Sequence, residues 1–348
     1  MNKKNKKVEK MTPVNTTDFK SATLKVGTAF SGIGAFEESL KQLGIKHENK
    51  FMIEIDKFAR QTYLANHDVD NVYDDITKLD PAELDDIDIF VFGSPCQSFS
   101  MQGNRRGLED TRGTLVFYGL NIIKEKQPKY FIYENVKGML NHDGGRTFAI
   151  IKEAFDELNY DIKYEVLNAK HYGAAQNRER LFIVGIRKDI DQDFTFPKPS
   201  KVNFCVNDFI VNCKYKDYTF DTTTIEVAIE KKKTDIKKVF ILPHIKYGSD
   251  KKIYSTKGIS PCLLSGNVRP KFYDEKNKIF RYMTETEMQH IQGFGLNFIF
   301  PVSNRQVRKQ IGNSIYVGVL NEISKMLLPQ QYFKADMAQT DTQELVAA

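Results

Sequence analysis

The chain has 348 residues, 41% of them hydrophobic and 28% charged, with 51 Lys and Arg against 45 Asp and Glu for a formal net charge of +6; this is the profile of a globular protein with one large domain, or a large and a small one. No uncharged apolar run reaches the roughly 18–20 residues that span a bilayer, and the basic N-terminus lacks the apolar stretch of a signal peptide, so neither a membrane-spanning nor a secreted protein is expected. Four scattered cysteines (Cys96, Cys205, Cys213, Cys262) without a CxxC pair argue against a disulfide framework and against structural zinc, and a reducing cytoplasm is expected.

Residues 1–21 are polar and basic without periodicity and read as a disordered tail. From 25 to 187 short apolar runs alternate with longer amphipathic ones. Residues 25–30, 51–55, 72–76, 87–92, 130–133 and 181–186 read as strands, and 36–43, 58–65, 115–123 and 148–158 as helices. The alternation predicts an α/β domain over 22–189, its sheet mostly parallel with helices on both faces, and a site at the carboxyl ends of the strands. The pattern breaks at FTFPKPS, 194–200. Residues 190–283 lack helical periodicity, are rich in Lys, Thr, Tyr and Asn, and read as a smaller, mainly β or irregular module. Helix signals return where Thr284 and Glu287 stand at capping-box spacing, and 307–328 reads as an amphipathic helix in a segment, 284–328, that rejoins the first domain. Residues 329–348 read as a polar tail.

Charge is segregated along the chain. Residues 1–20 carry +4 and 187–283 carry +8 against a whole-chain +6, so the remainder is net acidic. Such a distribution suggests a polyanion-binding face, although Lys-rich surfaces are also ordinary solvated faces.

The ends of the strands carry the chemistry. Phe30-Ser31-Gly32-Ile33-Gly34 follows the first strand and opens a helix, a place where glycines let backbone approach a ligand. The dinucleotide fingerprint is incomplete, because Glu37 stands where its third glycine belongs. Glu54 ends the second strand, where a carboxylate can accept from both ribose hydroxyls, and Asp75 closes the third, within reach of an adenine amino group. An adenosine ligand without a diphosphate fits these positions better than NAD or ATP; helix capping is the alternative role for each acid. The fourth strand runs into Gly93-Ser94-Pro95-Cys96-Gln97, which holds a thiol at the same edge behind a φ-restricted proline. The next strand delivers Glu134, and Arg178 and Arg180, two residues apart at the start of the last, point to one side of the sheet. The arginines are also suited to a purely structural pairing with Glu134 or Glu179.

In order, Phe30-x-Gly32-x-Gly34, Glu54, Asp75-Ile76, Pro95-Cys96-Gln97, Glu134-Asn135-Val136, Gln176-x-Arg178-x-Arg180, Arg281 through Gln292-Gly293-Phe294, and Gly312-Asn313-Ser314 resemble the motif series of the bacterial and phage DNA (cytosine-5-)methyltransferases over about residues 24–328. The resemblance implies a Rossmann-like mixed sheet binding S-adenosylmethionine (AdoMet), with residues 190–283 as a target recognition domain. It implies transfer of a methyl group to C5 of a cytosine flipped out of a short double-stranded DNA sequence, through a transient bond between Cys96 and C6, leaving S-adenosyl-L-homocysteine. Glu134 would bind or protonate N3, Arg180 would contact O2, and Arg178 would hold the thiolate region or a flanking phosphate. The cofactor set would be Phe30, Ser31, Gly32, Ile33, Gly34, Glu54, Ile55, Asp75, Ile76, Pro95, Leu115, Asn313 and Ser314. DNA contacts would come from Gln97, Ser100, Gln102, Arg105, Arg106 and Arg112 in a closing loop, and from Gln176, Ser265 and Arg269. No metal is expected. A monomer acting in the cytoplasm, alone or beside a restriction endonuclease, follows by analogy. In Gly258-Ile259-Ser260-Pro261-Cys262-Leu263 the family's usual Thr is replaced by Cys262. Three other readings stay open: an NAD-dependent oxidoreductase with a catalytic cysteine, a non-catalytic DNA-binding module, and the tRNA-directed branch of the same family.

Overall fold

The computed structural model describes residues 22–95, 115–200, 202–211, 218–220, 222–227, 235–243, 245, 251–266 and 269–334. In the larger domain the elements run β1 (Leu24–Ala29), α1 (Ala35–Gln42), β2 (His47–Ile53), α2 (Lys57–Leu64), β3 (Asn71–Tyr73), β4 (Ile89–Phe92), α3 (Leu115–Lys126), β5 (Tyr130–Val136), α4 (Arg146–Asp156), β6 (Tyr160–Asn168) and β7 (Glu179–Arg187). They form one seven-stranded sheet in the order β3-β2-β1-β4-β5-β7-β6. β1 to β5 are parallel, and β7 runs antiparallel to both β5 and β6. The strand order reverses beside β1, so the crevice at the carboxyl ends of β1 and β4 is the place where such sheets bind ligands.

The central strands are buried on both faces, which is why they read as unbroken apolar runs. Ile89, Val91, Tyr130 and Ile132 pack with Leu40, Val317, Leu320 and Ile323 on one face. Phe90, Phe92, Phe131 and Tyr133 pack with Val116, Ile123, Ile151 and Phe155 on the other. Two residues of the sheet's period thus supply two separate cores.

A smaller five-stranded sheet, β12-β11-β10-β9-β8, is built from β8 (Glu226–Val227), β9 (Lys238–Ile241), β10 (Lys252–Ser255), β11 (Lys271–Asp274) and β12 (Ile279–Tyr282). Three helices then return the chain: α5 (Glu285–Ile291), α6 (Asn304–Asn313) and α7 (Val317–Leu327). Both halves of the Thr284 and Glu287 capping box are present. Beneath it Arg281, 1% exposed, donates from Nε to Asp274 Oδ2 at 2.9 Å and from Nη1 to Glu287 Oε2 at 2.8 Å. Arg281→Met keeps the volume but strands two buried carboxylates, and is expected to lower stability by about 3–5 kcal/mol in urea unfolding.

Phe194 joins the core of the large sheet, with Ile190 and Phe196 packed against it. Tyr332 is buried, Lys46 N donates to Tyr332 O, and Phe333 bridges Ile45, so 329–333 pack on the edge of the large domain. The amphipathic stretch 307–328 is two helices rather than one. Arg178 takes the carbonyls of Gly312 and Ser314, at 2.9 and 2.6 Å, so these oxygens are drawn out of a continuous helical ladder. Among the described residues no helix is long and apolar enough to cross a membrane.

Candidate active site

A cleft opens at the switch point, lined by Thr28, Phe30, Ser31, Gly32, Glu37, Gly93, Glu134, Asn313 and Ser314 among others. The turn between β1 and α1 forms its floor. Phe30, Gly32 and Gly34 all take left-handed φ values, +53°, +58° and +85°. At Gly34 a Cβ would also fall 2.4 Å from the His67 ring, so the residue is required by conformation and by space. Gly34→Ala is expected to weaken cofactor binding by at least about tenfold in calorimetry, since relief of either strain moves the turn.

Glu54 is fixed before any ligand arrives. Its Oε2 accepts from Gly32 N at 2.9 Å and its Oε1 from Asp56 N at 2.8 Å, and burial raises the carboxyl above its ordinary pKa in spite of both bonds. Each oxygen keeps a second lone pair for a hydroxyl. Asp75 caps the short turn that follows β3: Oδ1 accepts from Thr77 N and Oγ1, Oδ2 pairs with Lys78, and the Thr77 hydroxyl lowers its pKa. Ile55 is 73% exposed beside this edge and Ile76 is buried. Ile33 and Gly34 support the turn, Pro95 ends the described part of the β4 edge, and Leu115 packs against the second core at the start of α3; like Glu54, Ile55, Asp75 and Ile76, these four lie outside the cleft lining.

Glu134 reaches the cleft from the end of β5. Arg180 Nε lies 3.1 Å from Glu134 Oε1, and a Cβ on Gly93 would come within 3.1 Å of Oε2. Burial raises the carboxyl's pKa, with Arg180 and Arg178 pulling the other way. This leaves an acid able to keep its proton nearer neutrality than an exposed carboxylate. Behind it, Asn135 Nδ2 donates to Ser94 O at 2.9 Å and to Tyr133 Oη at 2.8 Å, and Ser94 Oγ lies 3.0 Å from the same phenol. These bonds fasten the β4 edge to β5 immediately ahead of position 96.

Gln176 is fully buried, with Nε2 donating to Gln292 Oε1 at 3.0 Å and Oε1 accepting from Leu263 N at 2.9 Å, so its amide joins the smaller domain to the returning segment. Arg178 is likewise internal. It donates to the carbonyls of Leu263, Gly312 and Ser314 and to Cys262 Sγ, is 2% exposed, and has its pKa lowered to about 10 by burial and by Arg180. Cys262 thus occupies a junction beside this guanidinium. Ser265 is exposed next to α6, and the Arg269 guanidinium stacks 4.2 Å from the Tyr282 ring centroid. Cys96, Gln97, Ser100, Gln102, Arg105, Arg106 and Arg112 lie outside the described residues.

The sequence reading passed over Thr28, Glu37, Gly93, Ser94 and Tyr133. Glu37 was visible only as a departure from a glycine pattern, and Ser94 and Tyr133 sit inside runs that read simply as strand and turn.

The family described as C-5 cytosine-specific DNA methylase matches residues 24–328. The orphan methyltransferase M.SPRI of Bacillus phage SPR is 50% identical over 169 residues, a match that covers 48% of this chain and 38% of that protein's length. The type II methyltransferase M.SsoII of Shigella sonnei is 36% identical over 320 residues, covering 86% of this chain and 78% of that protein. The crystal structure of the S. pombe Dnmt2 methyltransferase superposes with a TM-score of 0.69 at 18% identity, covering 88% of this chain and 98% of that one, a likeness of fold.

Proposed function

The chain belongs to the C-5 cytosine-specific DNA methylase family, and from that premise we propose that it methylates C5 of a cytosine rotated out of a short double-stranded DNA sequence, with AdoMet as donor. The observation that carries this reading is the shared cleft, in which the β1 turn and the Asn313 and Ser314 segment meet the Glu134 acid.

The residues present suit the donor. Phe30 offers a ring for the adenine, the oriented Glu54 carboxylate accepts ribose hydroxyls, and Asn313 and Ser314 face the methionine end. When bound, AdoMet supplies a methyl group on an electron-poor sulfur. C5 of cytosine is a weak nucleophile, and the protein's part is to make it a stronger one. The Cys96 thiolate forms a bond to C6, the C5–C6 π pair becomes a C4–C5 π bond, and the displaced C4–N3 π pair on N3 takes a proton held by Glu134. Arg180 keeps Glu134 oriented and offers its remaining N–H groups to O2. As C5 gains its methyl group, the methyl–sulfur bond of the donor would break with its electron pair left on that sulfur, and N3 returns its proton to Glu134 as the C4–N3 double bond re-forms; C5 then loses its proton to a base, that electron pair re-forms the C5–C6 double bond, and the Cys96 sulfur leaves as thiolate.

Bisulfite sequencing of DNA from cells expressing the chain tests the reading. Protected cytosines within one recurring short sequence are the expected result; conversion no different from control cells overturns it. DNA affinity is expected to fall by about a thousandfold between 50 and 200 mM salt, as lysines and arginines release condensed counterions. Titration of labelled duplex at several salt concentrations measures that slope, and a flat line removes the basic module from the DNA-facing surface.

A further inference from the structure

Glu37 is a buried carboxyl that none of these steps uses. It stands in the first turn of α1, 1% exposed, among the residues that wall the cleft. Its Oε1 accepts from Tyr63 Oη at 2.8 Å and from Thr28 Oγ1 at 3.0 Å. Thr28 in turn lies 2.8 Å from Ser31 Oγ, inside the turn itself. Among the other buried acids described above, Asp274 and Glu287 share Arg281 and Glu134 has Arg180, while Glu54 is held by the backbone N–H groups of Gly32 and Asp56. Among the described residues no Lys, Arg or His forms an ion pair with Glu37; only hydroxyl and backbone donors offset its burial, and its pKa is raised. An acid kept at a cleft wall without a protein cation either holds its proton or meets a cationic group of a ligand, and its place in the cleft lining favours the second.

We propose that Glu37 receives the α-ammonium group at the methionine end of AdoMet, held in position by Thr28 and Tyr63. This rests on the cleft being the AdoMet site. The ammonium, rather than the sulfonium, is the partner because it carries N–H donors that a carboxylate can accept, whereas sulfonium has none. The adenosine end has its own carboxylate at Glu54, bonded to Gly32 N, which leaves Glu37, in the lining with Asn313 and Ser314, for the methionine end.

Calorimetric titration of the full chain and Glu37→Gln with three probes decides the matter: AdoMet, S-adenosyl-L-homocysteine, and 5′-methylthioadenosine, which has no amino-acid end. In Glu37→Gln, affinity for the first two is expected to fall together by about tenfold or more, with 5′-methylthioadenosine unchanged within about twofold. Tyr63→Phe, which keeps the charge, is expected to shift all three by less than about threefold. An equal loss for all three probes makes Glu37 a support of the fold and overturns the proposal. Loss for AdoMet alone transfers the role to the sulfonium, and no loss for any probe removes it; both also overturn the proposal. If the unaltered chain binds none of the three, the cofactor reading itself fails, and this inference with it.

Discussion

In Cys96→Ala, methyl transfer is expected to fall by about four orders of magnitude or more, while affinity for AdoMet stays within about threefold. The size of the effect follows from the ring. Cytosine C5 gains enamine character only while a nucleophile is bonded to C6, and neither an alanine methyl group nor a water in its place supplies a soft, readily expelled anion. The retained affinity follows from placement. Phe30, Gly32, Asn313 and Ser314 line the cleft, and Glu54 is braced by backbone N–H groups of Gly32 and Asp56, so none of these contacts depends on the thiol. Single-turnover transfer of a labelled methyl group, with calorimetry on the same preparation, measures both quantities. Joint loss of transfer and binding would make Cys96 a packing residue, and a duplex with 5-fluorocytosine at the target that never yields a covalent adduct would remove the sulfur from the mechanism.

Glu134→Gln is expected to lower the rate constant by about 10²–10⁴-fold, the range that a positioned proton donor contributes, with little change in DNA affinity. The amide still hydrogen-bonds but cannot surrender a proton as negative charge develops on N3. The acid form is the working one, so its contribution is complete at low pH and is lost as pH rises through the carboxyl's raised pKa. The thiolate at Cys96 has the opposite requirement. A bell-shaped profile is therefore expected, and its alkaline limb should flatten in the glutamine variant. A pH–rate series on both proteins tests this; an unaltered alkaline limb would assign the proton to another group.

Much of the fold was legible because burial on both faces leaves a plain mark. β4 and β5 are short apolar runs bounded by turns, and the sequence places both within a few residues. β6 escaped because it is an edge strand: Tyr160, Ile162, Tyr164 and Val166 alternate as a strand should, but Asp161, Lys163 and Glu165 on the other face break the apolar run, and Tyr164 is 46% exposed. The break between α6 and α7 was invisible for a different reason. Its cause is a side chain more than a hundred residues away in sequence, Arg178, whose donors capture helix carbonyls. The same distance hides the partners of Gln176 and Arg178 from the sequence. Motif spacing shows which polar residues stand near the strand ends, but whether an amide or guanidinium faces the ligand or is spent on backbone depends on a partner segment that folds back later. The positions of Glu134 and Glu54 at the sheet edge were legible because each stands at a strand end.

The bracket at Arg178 also bears on protein engineering. Transplanting sequence preference from one relative to another treats the specificity-bearing portion as a detachable cassette. Here the Leu263 carbonyl and backbone N–H are held by Arg178 and Gln176, and a Cβ on Gly312 would fall 2.3 Å from the backbone of Leu264. A chimera spliced upstream of Ser260 inherits that joint intact, whereas one spliced beyond Ser265 imports a foreign half of it and must bring the matching stretch of α6 as well.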